Sequence, residues 1–142
     1  MKFISKDLAI KLKEKGYDRP CFGYYQEYEF ILNRTSIHLP FGGNISDTMI
    51  LHQGENDIVD VPTIEQVLEW LREDKKIHIS IDVLSSMNKN FMCKQEPRLI
   101  FDVRVSYFKE EIFNYYDLDN PYFKYEDACI AGIEYVIQFN LI

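Results

Sequence analysis

Two stretches of this chain alternate apolar and polar residues with strict period two, and that pattern constrains the fold more than any other feature. In IHISIDV, residues 77–83, Ile77, Ile79, Ile81 and Val83 share one side, opposite His78, Ser80 and Asp82. In RLIFDVRVSY, residues 98–107, Leu99, Phe101, Val103, Val105 and Tyr107 share one side, opposite Asp102, Arg104 and Ser106. Successive strand residues point to opposite faces, so such runs bury one face and wet the other. Strands of a parallel sheet covered on both faces read as continuous apolar runs instead. The expectation is an antiparallel sheet with helices on one side.

Three segments carry helical spacing. Near the start, Ser5 is placed to cap a helix with Leu8 and Leu12 at i and i+4 after Ile4; Gly16 is a C′ stop, and Pro20 blocks continuation. In TIEQVLEWLRED, residues 63–74, Thr63 and Gln66 form a capping box. Ile64, Val67, Leu68 and Leu71 then make an inward stripe, and Trp70 lies roughly 120° away from it, flanking the core. The last helix carries Tyr125, Ala128, Cys129, Gly132, Ile133, Val136 and Ile137 on one stripe. Asn120-Pro121 fits the Asn-cap, Pro-first pattern for its start. Gly132 costs about 1 kcal/mol of helix propensity against Ala, which predicts close approach of another backbone. Phe139, Leu141 and Ile142 are expected to tuck in behind the helix.

Residues 21–32, CFGYYQEYEFIL, have strand propensity throughout and read as one long strand or as a hairpin turning near Gln26-Glu27. Residues 33–47 read as loop, 48–52 as a short strand, 54–62 as a turn and 85–97 as a long connection. Residues 110–121 read as a short strand and a turn. With no repeat or flexible linker, residues 1–142 read as a single α+β domain. Its sheet is mainly antiparallel and covered by helices, in the order α-β(β)-α-β-β-α.

The formal net charge of −7 argues against direct nucleic-acid binding, which needs a positive field, and against adsorption to anionic membranes. No apolar window reaches membrane-spanning length, and the start does not read as a signal peptide. Cys21, Cys93 and Cys129, without CxxC spacing, fit reduced thiols. A cytoplasmic location is therefore expected, and the two glycosylation sequons at Asn33 and Asn44 are read as chance.

His78, Ser80 and Asp82 sit about 7 Å apart at strand spacing, too far for a triad. His52 with Asp57 and Asp60, and Asp117 with Asp119 and Asn120, offer clustered oxygen ligands but lack the EF-hand pattern, and acidic turns before helices have a capping role. Cys129 falls on an apolar stripe, Cys21 opens a strand after Pro20, and Cys93 has no base nearby. The chain has no GxGxxG, P-loop, HExxH or GxSxG motif. The expectation is no catalytic residue, no metal site and no cofactor.

The unusual material is aromatic, at 15% of residues with ten Tyr and ten Phe. Tyr24, Tyr25, Tyr28, Trp70, Tyr115, Tyr116 and Tyr122 either form a protein-binding surface or fill a core poor in Leu with phenols reaching water.

Three segments resemble a group of small uncharacterised proteins encoded by prophages and other mobile elements of gut bacteria. They are SKDLAIKLKEKGYDRPCFGYY, VPTIEQVLEWLREDKKIHISI and YEDACIAGIEYVIQFNLI. That group pairs a KGFD-P-C-like segment with a W-L-R-E-like helix and ends on a TYEEACEAAI-like helix. The match covers somewhat under half of the chain. Lys124 departs from it, standing where the related helices often carry Thr or Ser. The resemblance implies an accessory protein without an assigned reaction, and it supplies no catalytic residue.

The first reading is a non-enzymatic protein-interaction module with an unidentified protein partner. The alternatives are an acidic nucleic-acid mimic or anti-defence protein occupying a host factor, and a small enzyme. For the mimic the candidate carboxylates are Glu27, Glu29, Asp47, Glu55, Asp57 and Asp60.

Overall fold

The computed structural model describes residues 2–26, 29–32, 58–85 and 99–142. The elements run α1 (Lys6–Glu14), β1 (Gly23–Gln26), β2 (Glu29–Leu32), β3 (Ile58–Val61), α2 (Ile64–Glu73), β4 (Ile77–Ser85), β5 (Leu99–Lys109), β6 (Ile112–Tyr122) and α3 (Tyr125–Gln138). The fold class is α+β, and every strand pair is antiparallel. Among the described residues two three-stranded sheets form, ordered β2-β1-β3 and β4-β5-β6. The chain divides into two compact units, Met1–Val67 and Leu68–Ile142.

In the first unit, Ser5 caps α1 by accepting from the Leu8 amide at 3.3 Å. The helix ends in a Schellman motif. The Gly16 amide donates to Lys13 O and the Tyr17 amide to Leu12 O, with Gly16 at φ 87°. Ile4, Leu8, Ala9 and Leu12 are buried with Val61, Ile64 and Val67, and α1 packs on β3. The segment 21–32 is a hairpin, Gln26 facing Glu29 across it. The Phe30 ring lies over Gly23, where a Cβ would sit 2.6 Å from Phe30 Cζ, so a larger residue there would have to push the ring aside. Phe30 in turn packs on Phe3, ring centroids 4.7 Å apart, and on Tyr25 at 5.3 Å. Residues 58–61, read from sequence as a turn, form β3 instead, completing the sheet beside β1. The short strand expected at 48–52 lies outside the described residues.

Helix α2 begins on the expected capping box. The Thr63 amide donates to Gln66 Oε1 at 2.9 Å, and the Gln66 amide donates to Thr63 Oγ1 at 3.2 Å. Gln66 Nε2 also donates to the Pro20 carbonyl at 2.8 Å, tying the helix start to the segment before β1.

In the second unit the period-two pattern holds for Ile77, Val103 and Val105. Val83 and Leu99, expected on the buried face, are exposed, and Ile100 on the other face is buried. Ile77, Ile79, Ile81 and Val83 pair opposite Tyr107, Val105, Val103 and Phe101, and α3 covers this face, touching β4, β5 and β6. Val103, Val105, Ala128, Cys129, Ile133 and Val136 are fully buried. Gly132 is where helix and sheet come closest: a Cβ there would lie 2.7 Å from Ile79 Cγ2 and 3.2 Å from Val103 Cγ1. The close approach expected at Gly132 is thus made by two side chains, not by a second backbone.

Residues 112–122, expected to hold only a short strand and a turn, form the eleven-residue strand β6. Asn120-Pro121 therefore belongs to a strand and does not start α3. Between the pairs Val103–Leu118 and Phe101–Tyr122 the register shifts, so β6 bulges there. β6 lies at the edge of the sheet, and an edge strand at a bulge is where a sheet tolerates proline. The last helix starts after Lys124, whose side chain makes no capping bond. It ends in a second Schellman motif, with Asn140 at φ 54° and the Leu141 amide donating to Val136 O. Leu141 and Ile142 are half-buried, whereas Phe139 remains exposed and packs on Tyr135 at 4.3 Å.

Candidate functional site

Of the aromatic residues singled out from sequence, the described ones differ in burial and in the face they occupy within each unit. Trp70 is 1% exposed and belongs to the core, with Lys75 Nζ 5.0 Å above its ring. Its offset from the α2 stripe does not expose it, because Trp70 and Leu71 are both buried and the buried side of the helix is wider than the stripe. Tyr24 and Tyr25 are half-buried neighbours in β1, and alternation sends them to opposite faces. Tyr28 lies outside the described residues. Tyr122 is half-buried beside Phe101. Tyr115 and Tyr116, adjacent in β6, face opposite sides: Tyr116 stacks on Tyr135 of α3 at 4.8 Å and 12°, and Tyr115 points away from that helix.

Among the described residues no helix covers the other face of the β4-β5-β6 sheet, which ends in a hairpin tip, although Ile100 on the same side is buried. Across this face, His78 pairs with Ser106 and Tyr115, Ser80 with Arg104 and Asp117, and Asp82 with Asp102. Arg104 holds Asp117 in a two-point bond, Nε to Oδ1 at 2.6 Å and Nη2 to Oδ2 at 3.1 Å. The guanidinium also lies 5.0 Å over the Tyr115 ring. The hydrogen bond from Arg104, opposed by partial desolvation and reinforced by its charge, holds the Asp117 carboxyl below its ordinary range. Asp82 directly opposite Asp102 is a like-charge pair, which costs a sheet stability.

Towards the tip this face turns apolar. Phe108 and Phe113 pack edge to face at 5.5 Å, and Phe113 lies 6.5 Å from Tyr115. Phe108, Phe113 and Tyr115 are 63, 58 and 61% exposed; Ile112, opposite Lys109 on the other side of the hairpin, is 64% exposed. The two strands are joined by Glu110-Glu111 alone, Lys109 pairing with Ile112. Both glutamates have positive φ, 52° and 66°. A two-residue hairpin of this kind favours Asn-Gly or Asp-Gly, because only such residues take that conformation cheaply. Glutamate there costs on the order of 1 kcal/mol per residue.

A second feature is an open cleft of about 540 Å³ lined by Leu99, Phe101, Phe123, Lys124, Tyr125 and Glu126. Its walls are mostly apolar, Phe101 meeting Tyr125 edge-on at 6.1 Å.

His78, Ser80 and Asp82 occupy alternate positions of β4 on the face opposite α3, across from Ser106, Arg104 and Asp102. Among the described residues no group of three or more His, Cys, Asp or Glu side chains gathers as metal ligands. Asp117 is engaged by Arg104, and His52 and Asp57 lie outside the described residues, as do Glu27, Asp47 and Glu55. Glu29 and Asp60 sit on β2 and β3, the two edges of the first sheet. Cys129 is buried in the helix–sheet core. Burial, with help from Asp60 and against Lys13, pushes the Cys21 thiol up to about 12, so it stays protonated and unreactive near neutral pH. Cys93 lies outside the described residues.

Sequence reasoning passed over Phe108, Ile112 and Phe113. The signal was available: Phe108 continues the polar side of its strand, where an apolar ring has no core to enter. Among the described residues no helix is long and apolar enough to cross a membrane. No protein-family model, no curated protein and no solved structure matches this chain.

Proposed function

We propose that this chain is a non-enzymatic protein-interaction module that binds its partner through the uncovered face and tip of the β4-β5-β6 sheet. One observation carries the reading. Phe108, Phe113 and Tyr115 lie together on one face of one hairpin with more than half of each residue exposed. Contiguous apolar exposure marks association surfaces, and aromatic rings are the usual anchors of such surfaces. The accessory role in a mobile element rests on the resemblance of three segments and supplies context only.

The test is capture from a lysate of the host with the immobilised chain and with a Phe113→Ser/Tyr115→Ser variant of unchanged melting temperature. The variant is expected to lose the proteins retained by the wild type. An identical set of captured proteins would remove the hairpin from the binding surface.

A further inference from the structure

The hairpin tip combines three properties that a purely structural turn has no use for. It is apolar where exposed, at Phe108, Ile112 and Phe113. It is acidic by one charge: residues 108–113 carry Glu110 and Glu111 against Lys109. It is also strained, with Glu110 and Glu111 both held at positive φ in a turn where Asn-Gly would relax the backbone. Strain retained at an exposed position points to a role outside folding.

We infer that the 108–113 tip is a docking knuckle for a basic protein surface bearing an apolar depression. Phe108 and Phe113 enter the depression, and Glu110 and Glu111 meet Lys or Arg side chains at its rim. This inference rests on the interaction-module reading and specifies its partner. Charge selects the occupant: a second copy of this chain would bring another acidic tip and a net charge of −7 towards the first. An apolar partner without charge would leave the two glutamates desolvated at the rim without counter-charges. A basic partner satisfies both, and its association slows as salt rises.

The experiment titrates the full chain with three synthetic peptides, alternating lysine–leucine, lysine–glutamine and glutamate–leucine, at low and high salt. The lysine–leucine peptide is expected to bind at least about tenfold tighter than the other two, with amide-signal changes confined to the tip. Glu110→Gln/Glu111→Gln and, separately, Phe113→Ser each lower that affinity about tenfold, while Glu14→Gln/Glu65→Gln, which removes the same charge elsewhere, changes it less than about twofold. Glu110→Asn/Glu111→Gly should raise the melting temperature and still lose binding, separating docking from folding. Equal loss in Glu14→Gln/Glu65→Gln, or no binding of the lysine–leucine peptide, overturns the inference. Equally tight glutamate–leucine binding that Phe113→Ser abolishes also overturns the basic partner but leaves the interaction-module reading standing. Capture unchanged by Phe113→Ser/Tyr115→Ser removes that reading itself.

Discussion

The two faces of the β4-β5-β6 sheet are built from the same three strands, yet they obey different rules. On the face under α3, Ile79, Val103, Val105 and Ile133 are packed closely enough that a single added carbon at Gly132 would collide. On the other face, aromatic rings stand exposed, Asp82 faces Asp102, and Arg104 bridges to Asp117 and Tyr115. The packed face holds the unit together through buried apolar area and close contact. The uncovered face gives up part of that stability in exposed rings and a like-charge pair. Alternation along β5 is what lets one strand serve both, since each substitution touches one face only.

The contrast is broken most severely from the packed side. Ile133→Ala should lower the unfolding free energy by about 2–5 kcal/mol, read as a drop in the denaturant midpoint at constant slope. Gly132→Val comes next, at about 1–3 kcal/mol from overpacking. In an Ile79→Ala background that cost should shrink, because the atom it strikes is gone; strict additivity would place the collision elsewhere. Phe113→Ser, on the uncovered face, should move stability by no more than about 0.5 kcal/mol. A loss comparable to that of Ile133→Ala would mean the ring is structural and not a contact residue.

The smallest effect lies at the ion pair. Arg104→Ala should raise the Asp117 pKa towards the ordinary carboxylate value, followed by carboxyl carbon shifts against pH. The sign is set by the depressed folded-state value. Any stabilisation from the pair is present above the ordinary carboxylate pKa and is lost as pH falls through the depressed one. Both side chains are exposed to water, so added salt should erode the shift. A shift indifferent to salt would show a more enclosed pair than the structure describes.

Much of this architecture was legible in the sequence because local rules and packing agree there. Ser5, Gly16 and the Thr63–Gln66 box mark helix ends through bonds made within a few residues. The alternation of 77–83 and 99–107 needs only one covered face. The failures share a cause. Residues 58–61 and 112–122 become strands through partners far along the chain, and Pro121 is tolerated only because β6 is an edge with a bulge. The site was less legible than the fold. Counting tyrosines pointed to seven aromatic positions, whereas exposure depends on which side of a strand or helix is covered. That rule places Trp70 inside and brings out Phe108 and Phe113, which lie beyond the alternating run of residues 99–107.

The burial of Trp70 has an optical consequence. It is the chain's single tryptophan, enclosed almost completely and overlain by the Lys75 ammonium. Its emission should lie to the blue in the folded protein and move red as water reaches the indole on unfolding. The molecule thus carries its own unlabelled gauge of folding, able to certify that a tip variant is intact before its binding is judged.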